Sequence, residues 1–250
     1  MSKTKTRIQH LLSLAHFTKI HNAHAGKAGV VIGNGPSLNF EDLERLSKAE
    51  NLVTIASNKI YMAFDHTSWR PDYYTVVDKV LAPKIVEDVS REIGTVYTPN
   101  GLAQVFKGSK VYCWRNAAVD FSTRPSAEFF TPDIRKPVYG GCTVTVENIQ
   151  LAVHLGLDPI YIIGCDHYYG GEDKIEKDGK TEVKADQSNH FIKNYRQPGE
   201  VVNSAPIDDM NFCYQSVALW AEKNKKSIYN ATRGGHLEFF PRCDFDSIKF

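Results

Sequence analysis

Few residues in this 250-residue chain combine reactive chemistry with a setting that would let them use it. His190 stands apart from the other eight histidines. It lies in a polar, glycine-bearing stretch, next to Phe191 and near Asn189, Tyr195 and Arg196. An imidazole titrates near neutrality, so a neutral histidine on a closing loop suits a general base. Asp166 follows the apolar run PIYIIG after the single residue Cys165, and His167, Tyr168 and Tyr169 come next, which gathers a carboxylate and two phenols at one strand end. The plainer role for Asp166 is to cap a turn or helix. Asn58 in ASNKIY, Asp78 in VVDK and Thr143 after a double glycine also stand at the ends of apolar runs. His10, His16, His21 and His24 belong to the N-terminal region and are expected to be solvated. His154 falls near a helix end, where the helix dipole favours a charged imidazole.

The stretch VVIGNGPSLNFEDL runs from an apolar strand through two glycines into a helix. Gly33 and Gly35 fit the start of a G-x-G-x-x-G dinucleotide fingerprint, but Leu38 stands where its third glycine belongs. No Gly-Lys-Ser/Thr follows, so Walker A fails too. Pro36 removes a backbone donor, which makes the turn a poor phosphate cradle. It offers instead the amide of Asn34 and the hydroxyl of Ser37, at the strand end where open α/β sheets bind ligands. The alternative is a structural turn in which Asn34 bonds its own backbone.

The elements that must position these groups follow from periodicity. GVVIG, LVTIAS, YYTVVD, GTVYT, SKVYCW, PIYIIG and SIYNA are short and nearly all apolar, as parallel strands buried on both faces are. FEDLERLS and TVTVENIQLAVHLG carry helical spacing, with Gly156 a natural stop after the second. The alternation predicts an α/β, Rossmann-like, doubly wound and mostly parallel sheet over residues 29–250, with right-handed crossovers. Residues 115–142, with three prolines, read as an ordered excursion over the site, and residues 170–206 as a loop-rich lid.

Residues 1–28 are expected to form an N-terminal amphipathic helix with Ile8, Leu11, Leu12, Ala15 and Ile20 on one face and Lys3, Lys5 and Arg7 nearby. That face would pack on its own domain or on a partner subunit; the alternative is peripheral contact of residues 1–22 with an anionic membrane. Nothing approaches the ~18 uninterrupted apolar residues of a spanning helix, and no secretory signal is read. The net charge of +1 does not argue for nucleic acid. Five cysteines without a CxxC or Cys/His cluster read as reduced thiols in a cytoplasmic protein, with no metal site.

Taken in order, VVIGNGPSL, ASNKIYMAF, WRPDYYTVVD, YGGCTVTVENIQLAVHLGLDPIYIIGCDHYY, NHFIKNY and NATRGGHLEFFPRCDFDSI resemble the bacterial MptE-like proteins, which occur near surface-polysaccharide and flagellin-glycosylation functions. That superfamily is similar to two kinds of enzyme. One is the metal-independent sialyltransferases of glycosyltransferase family 42, which use CMP-sialic acid. The other is archaeal 6-hydroxymethylpterin diphosphokinase, which uses ATP and magnesium. By resemblance to the first, Asn34 and Asn58 contact the nucleotide, Thr143 lines the donor pocket, Tyr168 bonds the departing phosphate, and His190 deprotonates the acceptor hydroxyl. The sequence departs from that pattern at a second phosphate-binding tyrosine, near Lys174, with Tyr169 and Tyr195 as substitutes. It departs from the kinase pattern at Asp78, where an acidic pair would hold magnesium but Lys79 follows.

The resemblance therefore implies a glycosyltransferase that needs no cofactor beyond its CMP-sugar donor and acts on a surface glycan or glycolipid acceptor. Gly33, Asn34, Gly35, Ser37, Asn58, Thr143 and Asp166 would hold the nucleotide, and Asp78, Tyr169 and Tyr195 would assist. Its place would be the cytoplasm, peripheral to the inner membrane, as a monomer or homo-oligomer. The alternatives are the diphosphokinase and a non-catalytic nucleotide-binding scaffold.

Overall fold

The computed structural model describes residues 3–140, 142–169, 174–175, 179–183 and 189–249. The remaining residues of the expected lid, and Met1 and Ser2 of the expected helix, lie outside the described residues. All seven apolar runs become strands of one sheet: β1 (Ala28–Ile32), β2 (Leu52–Ser57), β3 (Tyr73–Thr75), β4 (Thr95–Pro99), β5 (Lys110–Trp114), β6 (Ile160–Ile163) and β7 (Ile228–Asn230). They pair in the order β7-β6-β1-β2-β3-β4-β5, every pair parallel. β3 is shorter than its apolar run, because the chain turns out of the ladder before Asp78.

A parallel sheet needs cover on both faces. Five helices supply it: α1 (Lys3–Ile20), α2 (Phe40–Ser47), α3 (Ala82–Glu92), α4 (Val144–His154) and α5 (Ile207–Lys223). Neighbouring strand residues point to opposite faces. Val31 joins Phe17 of α1, Ile149 of α4 and Val217 of α5, whereas Val30 joins Leu43 of α2 and Ile85 and Val89 of α3. The sheet is thus doubly wound, as expected. Among the described residues, no helix is long and apolar enough to cross a membrane.

Helix α4 is buried along nearly its whole length, polar residues included. Those polar side chains find specific partners, as buried polar groups must. Gln150 donates to the Tyr139 carbonyl at 2.8 Å and accepts from the Thr131 N–H at 3.1 Å. These bonds draw the proline-bearing excursion onto α4. Its Phe130 ring stacks on Trp220 of α5 at 4.2 Å, and Ser126 N–H donates to Ser216 Oγ at 3.2 Å. The excursion therefore covers the helical layer and not the site.

Helix α1 also corrects its expectation. It packs on its own domain, but mainly through another face: Ser13 and Phe17 are buried, and of the expected face Ile20 is buried while Ile8, Leu11 and Leu12 are each more than half exposed. Polar and aromatic partners on β5 decide the orientation. Gln9 donates to the Val111 carbonyl, the Cys113 N–H donates to Ser13 Oγ, and His16 stacks on Tyr112 at 3.5 Å. The expected solvation of His16 and His24 fails for the same reason. Each ring meets a tyrosine hydroxyl at 2.9 Å, and burial lowers both imidazoles, His16 to about 4.

His154 reverses its expectation most plainly. Its Nε2 meets the Phe17 carbonyl at 2.9 Å inside the core, and burial lowers its pKa from 6.5 to about 4 despite Asp133 nearby. Solvation loss outweighs the helix dipole, so the ring is held neutral. The unfolded chain then takes up a proton first as the pH falls, so the contribution of His154 is complete above pH 6.5 and lost toward pH 4. We expect acidification from pH 7 to 5 to cost about 2 kcal/mol at this residue. Urea titrations of His154→Gln against the parent check this: the variant's stability should fall less over that range, and parallel curves would show that His154 carries none of it.

The lid region is more regular than its sequence implies. Lys180–Glu182 pairs antiparallel with Val201–Asn203 and with Lys174–Ile175. After it, residues 189–200 run back over the sheet end.

Candidate active site

From β1 the chain steps outward through β2, β3, β4 and β5, then returns to place β6 on the other side of β1. That reversal opens a crevice between the carboxyl ends of β1 and β6, the usual ligand position in an open α/β sheet. A pocket lies there. It is lined by Gly33, Asn34 and Gly35 after β1, Asn58 after β2, Thr143–Thr145 at the start of α4, Gly164–Tyr169 after β6, and Asn189, His190, Tyr195 and Arg196 from the returning segment.

The glycines serve close packing. A Cβ on Gly33 would stand 2.3 Å from the Gly164 carbonyl oxygen, and one on Gly35 would stand 1.9 Å from the Asp166 carboxylate. The two loops can touch because neither residue has a side chain. Asp166 spans the contact, accepting from Ser37 Oγ at 2.8 Å and from the Ser37 N–H at 3.3 Å. Ser37 is thereby turned to Asp166 and does not line the pocket.

Asn34 does not bond its own backbone. Its Nδ2 donates to the Ser57 carbonyl at 3.2 Å, and its own carbonyl accepts from the Phe191 N–H at 3.2 Å, which ties the returning segment to the first turn. Asn58 adopts φ +56°, a left-handed conformation that asparagine tolerates, and the Tyr74 hydroxyl donates to its carbonyl. The side-chain oxygens of Asn34 and Asn58 are buried without a protein partner. Buried polar atoms in that condition ask for a ligand or water. Thr143 caps α4, accepting from the Thr145 N–H, and lies 3.4 Å from the Tyr214 hydroxyl.

On the facing wall His190 stacks on Tyr195 at 3.9 Å with the rings 9° from parallel. Tyr195 is itself buried, and burial pushes its hydroxyl up to about 12. Burial, then the cations Arg196 and Lys59, lower His190 to about 3, so its imidazole is neutral at physiological pH, and its Nδ1 has no protein partner. Tyr168 and Tyr169 are 56% and 45% exposed at the pocket mouth.

Asp78 does not join this group. Its Oδ1 accepts from the Val80 N–H at 2.7 Å, the Leu81 N–H at 3.2 Å and Asn203 Nδ2 at 3.0 Å, so local turn bonds absorb it before α3. Among the described residues, no group of three or more His, Cys, Asp or Glu side chains is placed to hold a metal.

Several lining or supporting residues receive no role from the sequence. Arg196, Asn189 and His167 line the pocket. Lys59 donates from Nζ to the Tyr195 carbonyl, and Glu200 binds Lys59, Lys84 and Arg196. The Tyr-Arg pair in KNYRQ, beside the singled-out histidine, is the one sequence signal that pointed to them.

No curated protein matches the chain. Among solved structures, the MAf glycosyltransferase from Magnetospirillum magneticum AMB-1 is similar with a TM-score of 0.55 at 17% identity, over 96% of this chain and 39% of that one. The chain thus spans about two fifths of that protein's length, and the likeness establishes a shared fold. The family of 6-hydroxymethylpterin diphosphokinase MptE-like proteins matches residues 3–172, from α1 through the Asp166 loop, and the chain belongs to that family.

Proposed function

We propose that the pocket binds a CMP-activated sugar acid and that the protein transfers the sugar to a hydroxyl of a surface glycan or glycolipid. The observation that carries this reading is His190: a neutral imidazole, locked by stacking, with an unpartnered nitrogen inside the crevice. In the reaction the bond from the anomeric carbon to the phosphate oxygen breaks, and CMP leaves with the electron pair. The acceptor oxygen bonds to that carbon, and its proton passes to His190. Tyr168 at the mouth donates to the departing phosphate, as an electrostatic clamp does. The open oxygens of Asn34 and Asn58 accept from the ribose hydroxyls or the cytosine amino group.

The family name favours a second reading, diphosphoryl transfer from ATP with magnesium. Among the described residues, the carboxylates near the pocket do not fit that ion. Asp78 is consumed by its turn, and Asp166 is held by Ser37. Magnesium bridging phosphates calls for one or two carboxylates free to bind it.

Thermal unfolding with ligands decides between the readings. CMP in the presence of EDTA should stabilise the protein, by about 2.7 kcal/mol at a hundredfold excess over Kd. Stabilisation by ATP with magnesium and none by CMP would install the diphosphokinase instead. CMP binding without donor hydrolysis or transfer to any acceptor would leave a scaffold.

A further inference from the structure

One wall of the pocket carries a group of charges that the reading above does not use. Among the described lining residues, Arg196 is the one lysine or arginine. Its side chain is 20% exposed, and its Nη1 donates to Glu200 Oε1 at 3.2 Å. Glu200 is held in turn. Lys59 approaches at 3.6 Å, Lys84 at 3.4 Å, and the Gln197 N–H donates at 3.2 Å. Burial would raise the Glu200 carboxyl, yet Arg196 and Lys59 keep it below its usual range. Among the described residues, three cations therefore share this one ionised carboxylate, which leaves that group with a surplus of positive charge. Asp166, the carboxylate among the described lining residues, is engaged by Ser37 on the other side of the crevice.

A guanidinium has five donors in a planar fork. With Nη1 committed to Glu200, its remaining nitrogens can still engage an anion in bidentate fashion. We propose that Arg196 binds the phosphate of the nucleotide, with Glu200 as the positioning residue that sets its guanidinium plane. This rests on the reading that a nucleotide occupies the pocket. It supplies the phosphate contact for which the chain lacks a second tyrosine. As the sugar–phosphate bond breaks, charge collects on the phosphate oxygens, and a fixed cation beside them lowers the barrier. The same anion offsets the cations that hold His190 so far from protonation, so binding the donor also improves the proton acceptor.

The test is calorimetric titration of the full chain and its Arg196→Gln and Arg196→Lys variants with CMP, cytidine and inorganic pyrophosphate. Arg196→Gln should weaken CMP at least about 30-fold, as loss of a charge-assisted bidentate contact does, and cytidine less than about threefold. Arg196→Lys keeps the charge and the Glu200 pair but not the fork, so its CMP affinity should fall between the two. Equal CMP binding by parent and Arg196→Gln overturns the proposal, as does equal weakening of CMP and cytidine, which would mark general damage. If the parent binds no CMP, the transferase reading fails first. Pyrophosphate then decides for Arg196: binding that Arg196→Gln abolishes keeps it as the anion site, while unchanged or absent binding removes it.

Discussion

On the proposed sugar transfer, His190→Ala should bind CMP within about threefold of the parent and transfer sugar about 10²–10⁴ times more slowly. The separation follows from where the ring sits. It is stacked on Tyr195, with its unpartnered Nδ1 buried, so removing it takes away a proton acceptor and leaves the contacts of Asn34 and Asn58 in place. A base whose pKa is about 3 is weak, and after burial the cause lies in Arg196 and Lys59. A bound phosphate neutralises their effect, so the His190 pKa should climb when CMP is added, which ring-proton NMR reads directly. Truncation to alanine also leaves a gap beside Tyr195. His190→Phe keeps the stack without the nitrogen, and it should be as slow as the alanine variant. Unimpaired turnover in either would remove His190 from the chemistry.

The sheet was legible because parallel strands buried on both faces must be short and apolar, and the seven runs that satisfy that condition are the seven strands. FEDLERLS and the helix before Gly156 were legible from their spacing and their stops. The working face of α1 was not. That helix carries apolar residues on two sides, and the choice between them rests on Gln9, Ser13 and His16 finding partners on β5, about a hundred residues away in sequence. The site divides along the same line. Asn34, Asn58, Thr143 and Asp166 stand at strand or helix ends, which the topology brings together at the crevice. Ser37 and Asp78 stand at equally promising ends, but backbone N–H groups and nearby side chains capture them. Arg196 stood near His190 in the sequence, but its grouping with Lys59 and Glu200 was not legible, because long-range contacts between the returning segment, the turn after β2 and α3 assemble it.

Gly33→Ala should cost at least about 3 kcal/mol of folding stability, the upper end of the range for overpacking a close contact. The glycine donates its N–H to the Ile163 carbonyl at 2.8 Å, and Gly35 donates to the Gly164 carbonyl at 2.8 Å, so β1 and the loop after β6 are bonded on either side of Asn34. A methyl group at Gly33 would meet the Gly164 oxygen at 2.3 Å and its carbonyl carbon at 2.8 Å, both backbone atoms that no rotamer change can move. Relief would require the β1 and β6 ends to part, breaking these bonds and the Asp166–Ser37 contact that bridges them. The pocket floor would open with them, so CMP affinity should fall in the same variant. Gly94→Ala is the control. A Cβ there meets nothing within 4 Å, and its folding stability from urea titration should stay within about 0.5 kcal/mol of the parent. A dinucleotide fingerprint makes a different prediction, since its glycines let a phosphate approach. A Gly33→Ala protein that unfolded at the parent's urea midpoint with an unchanged m value, and lost only CMP, would therefore return the turn to ligand approach. A lowered midpoint together with weakened binding would assign Gly33 to the packing of one loop on another, with the ligand site resting on that contact.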